Sequence, residues 1–489
     1  MTRRRGEQNL KDMTPEHGSF RDANNRVFYH HGEVFRSLSA EAAANWHQLR
    51  QTAFFQRLME SGAVVGTETE SRADVTALVS GPWAAVLRHE PIPFISYPYE
   101  WTFGMLKDAA WLHLDVLEQA LEHGWTLKDG SAYNLQWRGQ RPVFIDVSSF
   151  EPYRDGDSWT GYRQFCMMFI IPLLLKAHRD IQLAPLLRSN LEGVDPEEAL
   201  KFISVRDIFR RGVFTHLYLH ARLQARARRA EARTSAPDAA PAKWPVRQTR
   251  EMTLRMVQSI KRMVAKLERG RGETTWSAYE TTHSYDDVSL AEKKGFVERH
   301  VRGRRWRMAY DLGSNTGTFA RLCSEHADHV IAVDEDELAV DTLYHRLKTE
   351  TPDNVTPLVM QLSNVSPDQG WRGRERKSFD DRGKPDLILC LALIHHMVIT
   401  ANIPMQDFLQ WIRSYDAAVV LEFVGPEDEM TLRLLKNKRN KHPDYTLARF
   451  ESIAASMFDI SDKAPLKEGR RHIYFLQPKP ASASAQSAA

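Results

Sequence analysis

Cysteine is scarce in this sequence, with Cys166, Cys323 and Cys390 as its only three thiols. An odd number of scattered cysteines does not form a disulfide framework, and their spacing excludes a cysteine-based zinc site. Reduced thiols of this kind are typical of a cytoplasmic protein. The sequence therefore predicts a cytoplasmic location and a fold that depends on its hydrophobic core.

Long apolar runs and a dominant sign of charge are also absent. The longest apolar run, Phe165–Leu175, is too short to cross a bilayer, and no apolar segment follows the basic start as it would in a signal peptide. The formal net charge of +3 is nearly balanced for a chain of this size, so it gives no argument for nucleic acid, and we expect no nucleic-acid partner. The short basic run Lys436–Lys441 is predicted to be a solvated helix face. We expect a soluble protein with no membrane partner.

A strand, a glycine-containing turn, a helix and a second strand are predicted between Met308 and Asp336. The first strand is predicted over Met308–Tyr310, and the tight turn that follows, Asp311–Gly317, contains Gly313 and Gly317. Glycine lets the backbone approach a ligand closely, and the start of the helix offers free N–H groups. Asp334, at the end of the second strand, can accept hydrogen bonds from ribose hydroxyls. The pattern therefore predicts half of a nucleotide-binding βαβ unit.

The turn lacks the glycine pattern of dinucleotide sites, because Asn315 and Thr318 stand at the second and third glycine positions. The sequence DLGSNTG instead resembles the first motif of class I S-adenosylmethionine-dependent methyltransferases, with Asn315 replacing the usual middle glycine. The resemblance implies S-adenosyl-L-methionine as the cofactor. Asp311 and the turn, including Gly313 and Gly317, would face its methionine part. Asp334 would hold its ribose, and Asn364 would lie against its adenine. The alternative is a βα turn of some other α/β protein.

Candidate residues for the acceptor side follow the fourth and fifth predicted strands. The unbroken apolar run that ends near Leu393 is typical of a central parallel strand, and His395 and His396 come directly after it. Glu422 ends the next strand. Because ligands bind at the carboxyl edge of such a sheet, we name His396 first, then His395 and Glu422, as the general base or positioning group. One histidine can equally be a packing residue, and this chemistry requires no metal.

The first half of the chain is predicted to be an α+β domain, with a hairpin over Phe20–Leu38 and a long helix over Phe103–His123. Asp129, Asn134 and Asp146 follow that helix. The order of helix, Asp-x4-Asn, hairpin and strand-Asp resembles the catalytic segment of protein kinases and aminoglycoside phosphotransferases. The resemblance implies that Asp129 is a base and that Asn134 and Asp146 hold magnesium.

Two elements of the kinase pattern are missing from the first half. No glycine-rich phosphate loop precedes the long helix, and no strand lysine paired with a helix glutamate can be identified. Asp129, Asn134 and Asp146 can also be residues that cap turns. The N-terminal half is therefore either a second catalytic domain or a module that binds a substrate or partner.

Over its whole length the chain resembles a bacterial protein group that includes rhizobial host-specific nodulation proteins. The segments LKDGSAYNLQW, PVFIDVSSFE, DLGSNTGTF and VLEFVGPEDEM carry this resemblance. We predict an α/β protein with an N-terminal α+β domain (1–229), a linker (230–249), a helical extension (250–303), a doubly wound methyltransferase domain (304–478) and a tail (479–489). In the extension, Trp276, Tyr279, His283 and Tyr285 form either a lid or a packing surface. The predicted reaction is methyl transfer to an O or N nucleophile of an unidentified acceptor, and the alternative is a bifunctional enzyme.

Overall fold

The computed structural model describes residues 13–76, 79, 81–233, 249–270, 287–351, 353–436 and 442–480. The chain divides into two compact units. The N-terminal unit contains Met1–Trp137, Pro142–Gly272 and Asp368–Lys377, and the C-terminal unit contains Arg138–Arg141, Glu273–Pro367 and Ser378–Ala489. The aromatic cluster between residues 276 and 285, most of the predicted linker, residues 437–441 of the basic run and the tail from residue 481 lie outside the described residues.

The N-terminal unit contains a five-stranded antiparallel sheet. Its strands are β1 (Met13–Pro15), β2 (Asn25–His30), β3 (Glu33–Leu38), β4 (Thr67–Thr69) and β5 (Ala85–His89), in the order β1-β2-β3-β5-β4. The predicted hairpin is confirmed as β2 and β3. Its two turn residues, His31 and Gly32, have φ values of 48° and 80°. Positive φ at both turn positions matches the right-handed twist of the flanking strands.

The helices of the N-terminal unit lie between and after these strands. They are α1 (Ala40–Leu49), α2 (Ala53–Glu60), α3 (Ala73–Thr76), α4 (Phe103–Glu122), α5 (Tyr162–Phe165), α6 (Ile171–Arg179), α7 (Leu183–Ser189), α8 (Pro196–Ala199), α9 (His220–Arg233) and α10 (Arg250–Ala265). The long predicted helix is confirmed as α4, which begins after the N-cap Thr102. The sequence predicted one helix over Ala40–Ser61, but the chain breaks it in two where the Thr52 hydroxyl and amide both donate to the Leu49 carbonyl.

Four short strands follow α4 and carry the Asp129–Asp146 segment. They are β6 (Trp125–Leu127), β7 (Leu135–Arg138), β8 (Arg141–Phe144) and β9 (Phe150–Pro152), and β6 pairs with β9 while β7 pairs with β8. Helix α10 packs on α4 within the same unit, where the Lys261 ammonium lies 2.7 Å from a Glu118 carboxylate oxygen. The sequence had assigned α10 to the extension of the C-terminal domain. Its amphipathic pattern identifies the helix but does not identify the surface that the apolar face covers.

The C-terminal unit contains a seven-stranded sheet. Its strands are β10 (Trp306–Leu312), β11 (Ala327–Asp334), β12 (Val355–Val359), β13 (Leu387–Cys390), β14 (Ala418–Val424), β15 (Phe458–Leu466) and β16 (Arg471–Pro478), in the order β12-β11-β10-β13-β14-β16-β15. The first five strands in chain order are parallel, and β16 runs antiparallel to both β14 and β15. This arrangement confirms the predicted doubly wound sheet and its closing antiparallel pair.

Seven helices accompany this sheet in the described residues. They are α11 (Asp287–Val301), α12 (Thr318–Ser324), α13 (Glu337–Leu347), α14 (Phe379–Arg382), α15 (Met405–Ser414), α16 (Glu429–Leu435) and α17 (Leu447–Met457). The chain runs outward from β10 through β11 to β12 and then returns to β13 on the other side of β10. In doubly wound folds the crevice at such a reversal binds the ligand. None of the helices among the described residues combines the length and apolarity needed to cross a bilayer.

Candidate functional site

The turn after β10 adopts a backbone conformation that most residues disfavour. Gly313, Asn315 and Gly317 all have positive φ, at 82°, 49° and 79°. A side chain on Gly317 would overlap Leu343, so this position also requires glycine for packing. Asparagine tolerates the left-handed region better than most residues, which explains how Asn315 can stand where the methyltransferase motif usually has glycine.

Asp334 holds this turn from the neighbouring strand. One carboxylate oxygen accepts the Asn315 N–H at 2.8 Å, and the other accepts the Asp336 N–H at 2.9 Å. Each oxygen keeps a second lone pair for a further donor. Burial raises the pKa of Asp334, while the two backbone donors act in the opposite direction. The predicted ribose-binding residue is thus also the residue that fixes the shape of the turn.

Asp311 is the most unusual acid of the site, because it is buried without full hydrogen bonding. Its side chain lies at the carboxyl end of the central strand β10, and the residue is 2% exposed. Among the described residues, its Oδ2 atom has no hydrogen-bond partner, and neither does the buried Ser314 hydroxyl. Burial raises the pKa of Asp311 to about 7, the Lys293 ammonium opposes this increase, and the Asp334 carboxylate adds to it. Buried polar atoms of this kind normally have partners, so the pair fits a bound polar ligand.

Asn364 lies beyond the same edge of the sheet. Val359 pairs with Asp334 across β12 and β11, and a short 3₁₀ turn, Leu362–Asn364, follows β12. The Asn364 side chain is exposed. The structure therefore brings all six predicted cofactor residues to the carboxyl edge of three adjacent strands, β10, β11 and β12.

His395 and His396 follow β13 at the same edge. Their ring centroids are 4.2 Å apart, and the backbone bends sharply before them at Ala392, where φ is 52°. His395 is buried, and its Nδ1 atom has no hydrogen-bond partner among the described residues. Burial lowers the pKa of both histidines, so each is neutral at pH 7 and can accept a proton.

Glu422, the third predicted acceptor residue, is fully buried between two cations. Its carboxylate oxygens lie 2.7 Å from the Lys293 ammonium and 3.3 Å from the Arg471 guanidinium. Arg471 also contacts Asp428 at 2.8 Å. A role for Glu422 as a base would require one of these ion pairs to open. Sequence reasoning missed Lys293 and Arg471, because they lie on α11 and β16, far from Glu422 along the chain.

The N-terminal candidates lie in a separate polar cluster. One Asp146 oxygen is 2.6 Å from both the Arg36 guanidinium and the Ser148 hydroxyl. Burial raises the pKa of Asp129 to about 6, and the Asp146 carboxylate adds to the increase. The Asn134 amide nitrogen is buried, without a hydrogen-bond partner in the described part of the chain. Arg36, which sequence analysis did not single out, therefore contacts the oxygen at which the kinase resemblance placed magnesium.

Within the described ranges, no group of three or more His, Cys, Asp or Glu side chains lies close enough together to hold a metal ion. Lys128, next to Asp129, forms an ion pair with Asp22 at 2.9 Å. Asp22 also accepts a hydrogen bond from Asn25 at 2.6 Å. Lys128, Asp22 and Asn25 thus satisfy one another beside Asp129.

Comparison with solved structures finds methyltransferases of low similarity. The N-methyltransferase NodS from Bradyrhizobium japonicum WM9 is 11% identical, covers 40% of this chain and 99% of its own, and gives a TM-score of 0.30. The magnesium protoporphyrin IX methyltransferase ChlM from Synechocystis PCC 6803 with bound SAM is 13% identical over 42% of this chain and 86% of its own, with a TM-score of 0.28. The fold assignment rests on the strand order of the C-terminal sheet.

Comparison with protein sequences is more informative. No family model matches the chain. The nodulation protein NoeA of Rhizobium meliloti (strain 1021) is 33% identical over 458 residues, which are 94% of this chain and 94% of NoeA. A similarity of this extent spans both units. The chain therefore belongs to the family of the nodulation protein NoeA.

Proposed function

We propose that the C-terminal unit is an S-adenosylmethionine-dependent methyltransferase that acts on an O or N nucleophile of an acceptor still to be identified. The observation that carries the proposal is Asp311, a buried carboxylate with an unpartnered oxygen beside the Gly313–Gly317 turn. It lies where the strand order of a doubly wound sheet reverses, which is where such sheets bind ligands. The sequence motif and the geometry at the sheet edge both support a methyltransferase.

In this proposal each residue at the sheet edge has a defined task. Asp311 and the turn would hold the methionine part of the cofactor, Asp334 its ribose and Asn364 its adenine. The cofactor supplies an already activated methyl group. The chain itself must align the acceptor, exclude water and remove one proton. His396 is our first candidate for the proton acceptor because it is neutral and only half-buried.

His395 and Glu422 are the second and third candidates for this proton acceptor. His395 is more deeply buried than His396, and Glu422 is already paired with two cations. We expect substitution of His396 to lower the rate of methyl transfer more than substitution of His395. Calorimetric affinity for S-adenosylmethionine should stay unchanged in both variants, which separates a catalytic loss from a binding loss.

Calorimetric titration with S-adenosylmethionine tests the cofactor site. Binding to the wild-type chain and its loss in Asp334→Ala support the assignment. The exposed neighbour Glu335 provides a matched control, because Glu335→Gln removes a nearby negative charge without touching the turn. No binding to the wild-type chain would rule out the proposed cofactor. Equal weakening in both variants would show a general charge effect in place of a specific contact.

For the N-terminal unit we propose a non-catalytic binding role. The supporting observation is the Arg36 guanidinium at 2.6 Å from Asp146, because a magnesium ion at Asp146 would have to displace this cation. The bifunctional alternative is favoured by Asp129, whose raised pKa of about 6 suits a general base. Titration with magnesium and ATP decides between them: binding that Asp146→Ala abolishes supports the bifunctional enzyme, and absence of binding supports the binding module.

The relative NoeA is a nodulation protein by name, and we propose a role in nodulation for this chain as well. The supporting observation is the similarity over 94% of both proteins. A deletion strain complemented with the wild-type gene or the Asp334→Ala variant tests this role. Complementation by the wild-type gene but not by the Asp334→Ala variant would connect nodulation to the proposed cofactor site.

A further inference from the structure

The ten residues Asp368–Lys377, which we call the 368–377 loop, lie between β12 and β13 in sequence but belong to the N-terminal unit in structure. The loop is a small hairpin in which Gln369 and Arg376 exchange backbone hydrogen bonds. Its turn uses Gly370, with φ of 81°, and Gly373, with φ of 66°. The hairpin therefore connects two strands of the C-terminal unit and is itself part of the N-terminal unit.

Two charged residues fix the loop by opposite-charge pairs. Glu375 is buried and accepts two hydrogen bonds from Arg21, at 2.8 and 3.1 Å. The Lys377 ammonium lies 2.7 Å from a Glu16 carboxylate oxygen. The paired, bidentate contact between Arg21 and Glu375 is the geometry in which arginine binds carboxylates most strongly. The Glu375 carboxylate of the loop thus faces the Arg21 guanidinium, and the Lys377 ammonium of the loop faces the Glu16 carboxylate.

Three tyrosines complete the surface that receives the loop. The Tyr97 hydroxyl accepts the Lys377 backbone N–H at 2.8 Å, and the Lys377 ammonium is 5.0 Å from the Tyr29 ring centroid. The Arg376 guanidinium lies 3.8 Å from the Tyr133 ring centroid. Both cations are within the range of a favourable cation–π contact. We call Glu16, Arg21, Tyr29, Tyr97 and Tyr133 the tyrosine slot.

The slot is built from two separate parts of the N-terminal unit. Tyr29 lies on β2 and Tyr133 directly precedes Asn134. The loop therefore bridges the sheet and the Asp129–Asn134 segment. The backbone of the loop also lies against Gly18, because a Cβ atom on Gly18 would lie 2.7 Å from the Glu375 carbonyl oxygen.

We propose that the tyrosine slot is a recognition site for a Glu-Arg-Lys peptide segment and that the 368–377 loop is its intramolecular ligand. The inference does not depend on the methyltransferase proposal. It gives the binding module of the N-terminal unit a defined ligand chemistry, a carboxylate followed by two cations. Any external ligand of the slot must compete with the tethered loop, whose effective concentration is in the millimolar range for a short tether.

A charge-reversal cycle on the full-length chain tests the proposal. The variants are Arg21→Glu, Glu375→Arg and the double variant that carries both substitutions. Hydrogen exchange of residues 369–377 should accelerate at least tenfold in each single variant, because the attraction between position 21 and the buried position 375 becomes a repulsion. Exchange should return toward the wild-type rate in the double variant. Arg374→Glu is the matched control, since its side chain is exposed on the same loop.

A fluorescent peptide copying residues 367–378 measures recognition directly. We expect the peptide to bind the Glu375→Arg chain at least tenfold more tightly than the wild-type chain, whose own loop fills the slot. A peptide with arginine at position 375 should instead prefer the Arg21→Glu chain. Gly18→Ala provides a second, charge-neutral way to loosen the loop, and it should also admit the unmodified peptide.

Three outcomes would overturn the proposal. The first is unprotected exchange of the loop in the wild-type chain, and the second is unchanged exchange in both single variants. The third is equal binding of the two peptides to all chains, which would indicate non-specific charge attraction. Thermal unfolding of each variant monitors the fold. If a charge-reversed variant fails to fold, Gly18→Ala alone decides the result.

Discussion

Protonation of Asp311 should control binding of the proposed cofactor. Burial raises the pKa of this carboxyl from 3.8 to about 7, which corresponds to roughly 4 kcal/mol against its charged form. Between these two values the folded chain binds a proton that the unfolded chain does not, so folding stability falls as pH rises through this range. S-adenosylmethionine carries a cationic sulfonium and a cationic ammonium group. A cation near Asp311 favours the charged carboxylate and therefore releases the proton.

The expected size of this effect follows from the pKa. At pH 6 about nine tenths of Asp311 is protonated, and at pH 8 about one tenth is protonated. Affinity for S-adenosylmethionine should therefore rise about tenfold between pH 6 and pH 8. Calorimetry at pH 6 in two buffers of different ionisation enthalpy should report release of nearly one proton per cofactor. At pH 8 the release should be close to zero.

The variant Asp311→Asn separates this residue from other titrating groups. It should bind the cofactor more weakly at pH 8 and should release no proton from this position at pH 6. S-adenosylhomocysteine lacks the sulfonium charge and should show a smaller pH dependence in the wild-type chain. Binding of S-adenosylmethionine with the same affinity at pH 6 and pH 8, and without proton release, would refute the reasoning.

Three further predictions concern the stability of the fold around the two candidate sites. Gly317→Ala should lower the free energy of unfolding by about 2–4 kcal/mol in urea denaturation, because it places a side chain at positive φ and against Leu343. The control Gly295→Ala, in the exposed part of α11, should instead raise the free energy of unfolding by about 0.5–1 kcal/mol. Glu422→Gln should lower the free energy of unfolding by about 3–5 kcal/mol, because the positive charges of Lys293 and Arg471 lose their negative partner. A loss of methyl transfer with unchanged stability would instead identify Glu422 as a base. Arg36→Met should lower stability at pH 7 by about 2–4 kcal/mol, because it leaves the Asp146 carboxylate without this cation. Burial acts to raise the pKa of Asp146, but the Arg36 and Ser148 contacts outweigh it and hold the pKa below its ordinary value. The stability from these contacts is therefore present at neutral pH and disappears as pH falls below about 4, which a pH series of denaturation curves measures.

The sequence was sufficient to predict the C-terminal sheet and the sheet edge at which the proposed cofactor residues lie. Parallel strands covered on both faces appear as continuous apolar runs, and the turn between β10 and α12 carries its own glycine and asparagine signal. Asp311 and Asp334 could be named as candidates because a strand end next to a glycine turn is a local feature. The local pattern could not show that Asp334 holds the turn through two backbone N–H groups, since that depends on the register of β10 against β11.

Residues that act through distant contacts were not predictable in this way. Lys293 stands among Phe296 and Val297 on the buried face of α11, which indicates an unusual buried lysine but does not name its partner. Glu422 shows the consequence. As a lone acid at a strand end it is a natural candidate for a base, and with Lys293 and Arg471 in view it is the centre of a buried ion-pair network. The same sequence position has a different chemistry once its three-dimensional neighbours are known.

The 368–377 loop shows the largest gap between the sequence and the structure. Its residues, DQGWRGRERK, have the glycine and charge content of an ordinary surface connection between a third and a fourth strand. Only the contacts of Glu375 with Arg21 and of Lys377 with Glu16 distinguish it from such a connection. Burial first raises the pKa of Glu16, but the Lys377, Gly18 and Tyr29 contacts outweigh this and lower it, so the Glu16 carboxylate remains charged for its partner. Because charge, ring and backbone contacts converge on three consecutive residues, reversal of one charge should release the whole loop, and restoration of the pair in the opposite sense should dock it again.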